Sequence, residues 1–194
     1  MTGETTDAPA RELWVVRHGE TEWSRDGRHT SVTDLDLTEK GVKVARGLAQ
    51  RLAGEEFDLV LTSPRKRARV TAELAGFPDA VIDDDLSEWA YGDYEGVTTP
   101  EIRRIVPGWT VWTHSVPGGE TAEQVGARLD RVVARAEAVA GRTLVFAHGH
   151  SLRVLAARWL GLPATDGRLL RLDTSTVSVL GHERESRVVL RWNA

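Results

Sequence analysis

The chain has no cysteine. That excludes disulfides, thiolate nucleophiles and cysteine-ligated metals, and it fits a reducing compartment, so a cytoplasmic location is the expectation. No apolar run is long enough to span a bilayer. The opening stretch "MTGETTDAPA" has neither the basic start nor the apolar centre of a secretory signal and reads as a flexible tail over residues 1–10. No Pro/Gly/Ser-rich linker and no internal repeat divides the remainder, so residues 11–194 are expected to form a single domain. Excess positive charge is also missing: the formal net charge is -4. There is thus no general attraction to nucleic acid or to an anionic membrane, and neither is expected as a partner. Any anion must be captured by a local basic pocket.

What is present is ordinary globular composition, 41% hydrophobic and 28% charged residues over 194 positions, enough to bury a core without staples. Residues 13–16 ("LWVV") are a short continuous apolar run, as in a strand buried on both faces. In "LDLTEKGVKVARGLAQRLAG", Thr38 reads as an N-cap, and Val42, Ala45, Leu48, Ala49 and Leu52 follow helical spacing up to Gly54. "FDLVLTSP" reads as a second buried strand and "RKRARVTAELAG" as a short helix ending at Gly76. "AVIDDDLSEWAYGDYEGVTT" reads as a brief strand followed by a long polar and aromatic loop, the kind more often functional than structural. A long amphipathic helix ("ETAEQVGARLDRVVARAEAVAG"), a third buried strand ("RTLVFAHGHS"), a helix ("LRVLAARWLG") and a closing hairpin complete the chain. Strands separated by helices predict an α/β fold, a three-layer α/β/α sandwich with a mainly parallel central sheet. Ligands in such folds collect at the carboxyl ends of the strands.

Those ends carry the unusual residues. Arg17 and His18 follow the first strand, Ser63 to Arg67 the second, His148 and Gly149 the third. Arginines and histidines gathered at one sheet edge suit phosphoryl binding and transfer. A phosphoryl group has three equatorial oxygens to neutralise, and guanidinium offers planar bidentate donors that lysine cannot copy. A neutral imidazole whose other nitrogen is hydrogen-bonded can attack phosphorus and split the displacement into two steps. The departing alkoxide needs a proton, so an acidic group is expected nearby, on the long loop.

Taken together, "RHGETEW", "GRHTSVTDLDLTEKG", "TSPRKRARVTA", "LSEWAYGDYEG" and "VFAHGHS" resemble, in order and spacing, the histidine phosphatase superfamily, also called phosphoglycerate mutase-like. The resemblance runs from about residue 13 to 160. It is nearest to small bacterial acid phosphatases, with some likeness to sedoheptulose bisphosphatases. It implies that His18 is the nucleophile that becomes phosphorylated, that Arg17 and Arg67 clamp the phosphoryl oxygens, and that His148 stabilises the charge of the transferring group. Glu88 matches the proton donor. Ser24 falls where many relatives have Asn beside the phosphate, Thr30 and Ser31 match a loop that touches substrate, and Tyr91 matches a residue following the acid. Gly149 would let backbone approach the phosphate. The implied partner is a small-molecule phosphomonoester, with no metal and no cofactor; the oligomeric state is open, a homodimer included.

The residues taken singly have plainer readings. An arginine at a strand end is usually a surface ion-pair partner. The register of "SPRKRA" selects Arg67 only through the resemblance, and Asp83, Asp84, Asp85 and Asp93 compete with Glu88 for the acid. Trp23, Trp89, Trp109 and Trp112 read equally well as core packing or as walls of a pocket for the organic part of a substrate. Arg103 and Arg104 read as a solvated helix end, with extension of the anion site as the alternative. Phosphoglycerate mutase and sugar bisphosphatase chemistry share the pocket. "GHSLR" is close to the G-x-S-x-G elbow of serine hydrolases, which would use Ser151 with His182. His148 and His150 alternate as strand-end metal ligands sometimes do, although two adjacent arginines would repel a cation.

Overall fold

The computed structural model describes residues 11–194; the tail expected at residues 1–10 lies outside the described residues. The strands are β1 (Glu12–Arg17), β2 (Leu59–Thr62), β3 (Val81–Ile82), β4 (Arg142–Ala147), β5 (Val177–Glu183) and β6 (Ser186–Arg191). They form one six-stranded sheet in the order β3-β2-β4-β1-β5-β6. Strands β3, β2, β4 and β1 run parallel, while β5 and β6 are the antiparallel closing hairpin.

The continuous apolar run of β1 follows from its neighbours: β4 and β5 flank it, and both of its faces are covered. Alternate side chains go to opposite faces. Leu13 and Val15 pack with Leu61 and Val145 against helices α5 (Ala122–Ala138) and α6 (Gly149–Trp159). Trp14 and Val16 pack with Leu144 and Phe146 against α2 (Glu39–Arg51) and α3 (Lys66–Leu74). This is the expected three-layer sandwich. Fully burying each Leu or Val contributes roughly 1.5–3 kcal/mol, which makes β1 a firm base for whatever projects from its end.

Thr38 caps α2 as expected, accepting from the Gly41 backbone N–H at 3.0 Å. The region read as a long loop is more ordered than its composition suggests. After β3 it holds 3₁₀ turns at Asp84–Leu86 and Gly92–Tyr94, and the helix α4 (Thr99–Ile105) starts at its last residue. Thr98 and Glu101 form a capping box that starts α4, and Pro100 sits in its first turn. A further short helix, α1 (Glu22–Asp26), is capped reciprocally by Thr21 and Ser24 and stopped by Gly27 at φ 73°. Arg103 and Arg104 are exposed in the last turn of α4, the helix-end reading.

The sheet order positions the site. Because β4 lies between β1 and β2, the carboxyl ends of all three are adjacent. The His18 N–H donates to the Ala147 carbonyl at 2.9 Å, and the Ser63 N–H to the Phe146 carbonyl at 2.9 Å.

Candidate active site

At that edge the chain leaving β1 turns sharply. The Gly19 N–H donates to Thr71 Oγ1 at 2.9 Å, and Gly41, at the start of α2, presses so closely that an added Cβ would come within 2.2 Å of the Glu20 carbonyl oxygen. This close docking of α2 holds the backbone that follows His18. His18 Nδ1 is 2.7 Å from the Gly19 carbonyl oxygen. A carbonyl only accepts, so Nδ1 carries the proton and Nε2 keeps its lone pair.

Cationic groups surround this imidazole. Arg17 donates from one terminal nitrogen to the Leu172 carbonyl at 2.6 Å. Arg67, near the start of α3 and 1% exposed, donates to the carbonyls of Thr33, Thr30 and Ser31 at 3.0, 3.1 and 3.3 Å. The His148 ring stands edge-on to His18 with centroids 5.2 Å apart. Its Nε2 is 2.7 Å from Ser63 Oγ, and that oxygen accepts from the Arg65 N–H. Arg17 Nε, Arg67 Nε and His148 Nδ1 are buried with no partner among the described residues. Such orphaned groups are costly unless they serve a ligand, and these three belong to residues near His18: the His148 ring is in edge contact with it, and the charges of Arg67 and Arg17 act on it.

Glu88 closes the other side. It lies between the two 3₁₀ turns and is 7% exposed. Its Oε1 accepts from the backbone N–H of Trp89 and Ser151 at 2.9 and 2.7 Å, and its Oε2 from that of His150 at 3.0 Å. The carboxylate is thus seated on the amino end of α6.

A cleft of about 250 Å³ opens from this cluster. Arg17, His18, Ser24, Thr30, Glu88, Tyr91 and Gly149 line it, with Arg67 and His148 buried behind it. A Cβ at Gly149 would lie 3.2 Å from Arg17 Cζ, so the glycine leaves room for the guanidinium. The Ser24 hydroxyl is engaged locally, accepting from the Thr21 N–H and donating to the Thr21 carbonyl. Ser31 does not reach the cleft; its hydroxyl donates to Glu95, whose carboxylate also collects the N–H groups of Ser31 and Thr33. Glu95 therefore holds the loop that supplies carbonyls to Arg67.

Arg28, His29, His150 and Arg153 also line the cleft and were not expected there. The sequence offered one signal, the i to i+3 spacing of His150 and Arg153 on one helix face. Buried Tyr91 presents its hydroxyl to His150 Nδ1 at 2.5 Å. Burial pushes the phenol pKa up, so the O–H is the donor and His150 Nε2 carries the ring proton. None of the four tryptophans lines the cleft. Trp89 and Trp109 are core residues, each 1% exposed, with indole N–H groups donating to the carbonyls of Glu120 and Ser115. Trp23 packs on Gly96, and Trp112 underlies the Arg153 guanidinium at 4.7 Å. Ser151 is fully buried, and His182 packs on Trp159 beside Arg11, at the opposite end of β1; the elbow reading lacks its base.

Burial pushes the pKa of His18 well below the ordinary imidazole value, and the charges of Arg67 and Arg17 push it further in the same direction. His148 is lowered by the same burial and then by Arg67, while burial takes His29 to about 4. The sign for stability follows from proton uptake. Below an unfolded imidazole pKa of about 6.5, the unfolded chain binds protons that these three histidines refuse when folded. Each removes stability at up to about 1.4 kcal/mol per pH unit until its folded pKa is reached. Thermal unfolding in phosphate-free buffer should show Tm falling steadily from about pH 7 to about pH 5; a flat profile would mean that the histidines are not held neutral.

The sequence matches the histidine phosphatase superfamily (branch 1) over residues 13–194. An acid phosphatase of Mycobacterium tuberculosis is 44% identical over 180 residues, covering 90% of this chain and 88% of the relative. Sedoheptulose 1,7-bisphosphatase of Saccharomyces cerevisiae is 40% identical, covering 76% and 67%. A solved structure of a Mycobacterium tuberculosis open reading frame superposes with a TM-score of 0.90 at 40% identity, covering 94% of this chain and 96% of that one. A mycobacterial glucosyl-3-phosphoglycerate phosphatase gives 0.85 at 28% identity, covering 95% and 100%. With the match spanning every strand and every side chain of the cluster around His18, the chain belongs to the histidine phosphatase superfamily.

Proposed function

We propose that this chain is a metal-independent phosphomonoesterase of the acid phosphatase type that works through a phosphohistidine on His18. The observation that carries the reading is the His18 tautomer, with Nδ1–H bound to the Gly19 carbonyl so that Nε2 keeps the lone pair, next to residues whose buried Arg17 Nε, Arg67 Nε and His148 Nδ1 have no partner among the described residues. In the first step Nε2 attacks phosphorus and the ester P–O bond breaks. Arg17, Arg67 and His148 hold the equatorial oxygens, and Glu88 gives its proton to the departing oxygen. In the second, Glu88 takes a proton from water as the water oxygen attacks phosphorus. The P–N bond breaks, inorganic phosphate leaves, and the neutral imidazole is restored. Every charge that develops meets a guanidinium or an imidazole, so no step calls on a metal.

A second reading draws on the outer cleft. Arg28 and Arg153 add two guanidinium groups beyond those facing His18, which suits a substrate with a second anionic group. The relatives include the sedoheptulose bisphosphatase and a 2,3-bisphosphoglycerate-dependent phosphoglycerate mutase of Brucella melitensis. Comparing kcat/KM for sugar bisphosphates, phosphoglycerates and uncharged-tail monoesters separates the two.

The direct test of mechanism is to denature the enzyme in alkali during turnover of a ³²P-labelled monoester, because phosphohistidine survives alkali and is lost in acid. Label should appear on the peptide containing His18, in the presence of chelator as in its absence. Label on Ser151, or activity abolished by chelation, would refute the respective part of the proposal.

A further inference from the structure

We propose that Arg128 is the positioning residue of the proton donor, acting with Glu120 as a clamp that holds the Glu88 turn; this rests on the reading of Glu88 as the acid. Glu88 sits in irregular backbone, where a carboxylate would not by itself keep the placement that proton transfer requires. What surrounds that backbone is unusually specific. Arg128, in the second turn of α5 with its side chain 11% exposed, donates from Nε and one terminal nitrogen to the two oxygens of Glu120, at 2.8 and 2.9 Å. The other terminal nitrogen donates to the carbonyls of Asp85 and Ser87, at 2.6 and 2.7 Å. The terminal nitrogen that binds Glu120 donates also to the Glu88 carbonyl, at 3.1 Å.

The guanidinium therefore binds three carbonyls on the approach to Glu88, and Glu120 takes the departing side. The Glu120 carboxylate accepts from the Ala90 N–H at 2.9 Å, and its backbone carbonyl accepts from the Trp89 indole at 2.8 Å. Opposite the clamp, the Glu88 carboxylate rests on the amino end of α6. The carboxylate is thus fixed at both ends, its head by α6 and its backbone by α5. Arg131 and Arg135 continue the α5 face and pair with Asp85 and Asp83, but neither is bonded to Glu88. A lysine at position 128 could not replace the fork, because its single ammonium cannot span a carboxylate and the carbonyls together.

The consequence is selective. Misplacing the acid slows release of a leaving group that needs a proton and spares one that does not. Loss of a general acid costs about 100- to 10,000-fold, and a misplaced one is expected to cost about 10- to 100-fold.

The test compares kcat/KM, which reports phosphorylation of the enzyme, for glycerol phosphate and for 4-nitrophenyl phosphate in Arg128→Lys, Arg128→Ala, Glu88→Gln and Arg131→Gln. For both Arg128 variants we expect a loss of about 10- to 100-fold on the alkyl ester and less than about threefold on the aryl ester. Added guanidinium ion should restore part of the alkyl activity of Arg128→Ala. Glu88→Gln should show the same selectivity in larger measure, and Arg131→Gln neither loss. If Arg128→Ala does not fold, Arg128→Lys, which keeps the charge, decides the matter. Equal losses on both esters, or no loss, with Glu88→Gln still selective would overturn the clamp alone. An unselective Glu88→Gln would overturn the clamp and the acid assignment together.

Discussion

Replacing His18 by alanine should lower kcat/KM for any phosphomonoester by about 10,000-fold or more, since removal of the proposed covalent nucleophile leaves only what binding and charge stabilisation can do. The fold should survive. Among the described residues the one hydrogen bond His18 makes through its side chain is to the neighbouring Gly19 carbonyl, and its ring borders the cleft, where water can fill the space left behind. Arg17, Arg67 and His148 keep their own supports on Leu172, on the loop carbonyls and on Ser63. The variant should therefore still bind inorganic phosphate and be stabilised by it in thermal unfolding. Loss of activity together with loss of phosphate binding would point to a collapsed site, and retention of more than a trace of activity would place the nucleophile elsewhere.

The strands around His18 were legible because burial on both faces leaves a continuous apolar signature, seen at residues 13–16 and again in β4. Arg67 was not legible on physical grounds. It lies in "RKRAR", where periodicity alone could not pick it from its basic neighbours, and it is 1% exposed because carbonyls more than thirty residues away accept its hydrogen bonds. Contacts of that separation leave no trace in local pattern. The same holds for Ser31, drawn away from the cleft by Glu95, and for His29, which meets Tyr91 across the fold. Helices α1 and α4 are a different kind of omission, since their capping residues, Thr21 with Ser24 and Thr98 with Glu101, stand in the sequence as start signals. The tryptophans show the limit of composition. Trp89, within the aromatic loop, and Trp109, beyond it, both face the core, because α5 and α6 cover that side of the sheet.

Substituting Arg67 should produce the next largest effect, and it should do so in three observables at once. First, Arg67→Ala removes the proposed donor to the phosphoryl oxygens, and removal of such a donor costs about 100- to 1,000-fold in turnover. Second, the carbonyls of Thr30, Ser31 and Thr33 lose a buried charged partner. Each deserted acceptor costs about 1–3 kcal/mol unless water reaches it, so the variant should unfold at a clearly lower temperature. Third, burial lowers the His18 pKa first and Arg67 second, so removing the Arg67 charge should raise that pKa toward its ordinary value. Imidazolium has no lone pair to attack phosphorus, so the acid limb of kcat/KM should move to higher pH. Arg67→Lys separates these terms. It keeps the positive charge and hence most of the effect on His18, but it cannot reach three carbonyls and a phosphoryl oxygen together. We expect its acid limb to stay near that of the parent while turnover falls. If Arg67→Ala loses turnover with no change in unfolding temperature and no shift of the acid limb, the arginine acts on substrate alone; if it loses none of the three, the site is misassigned.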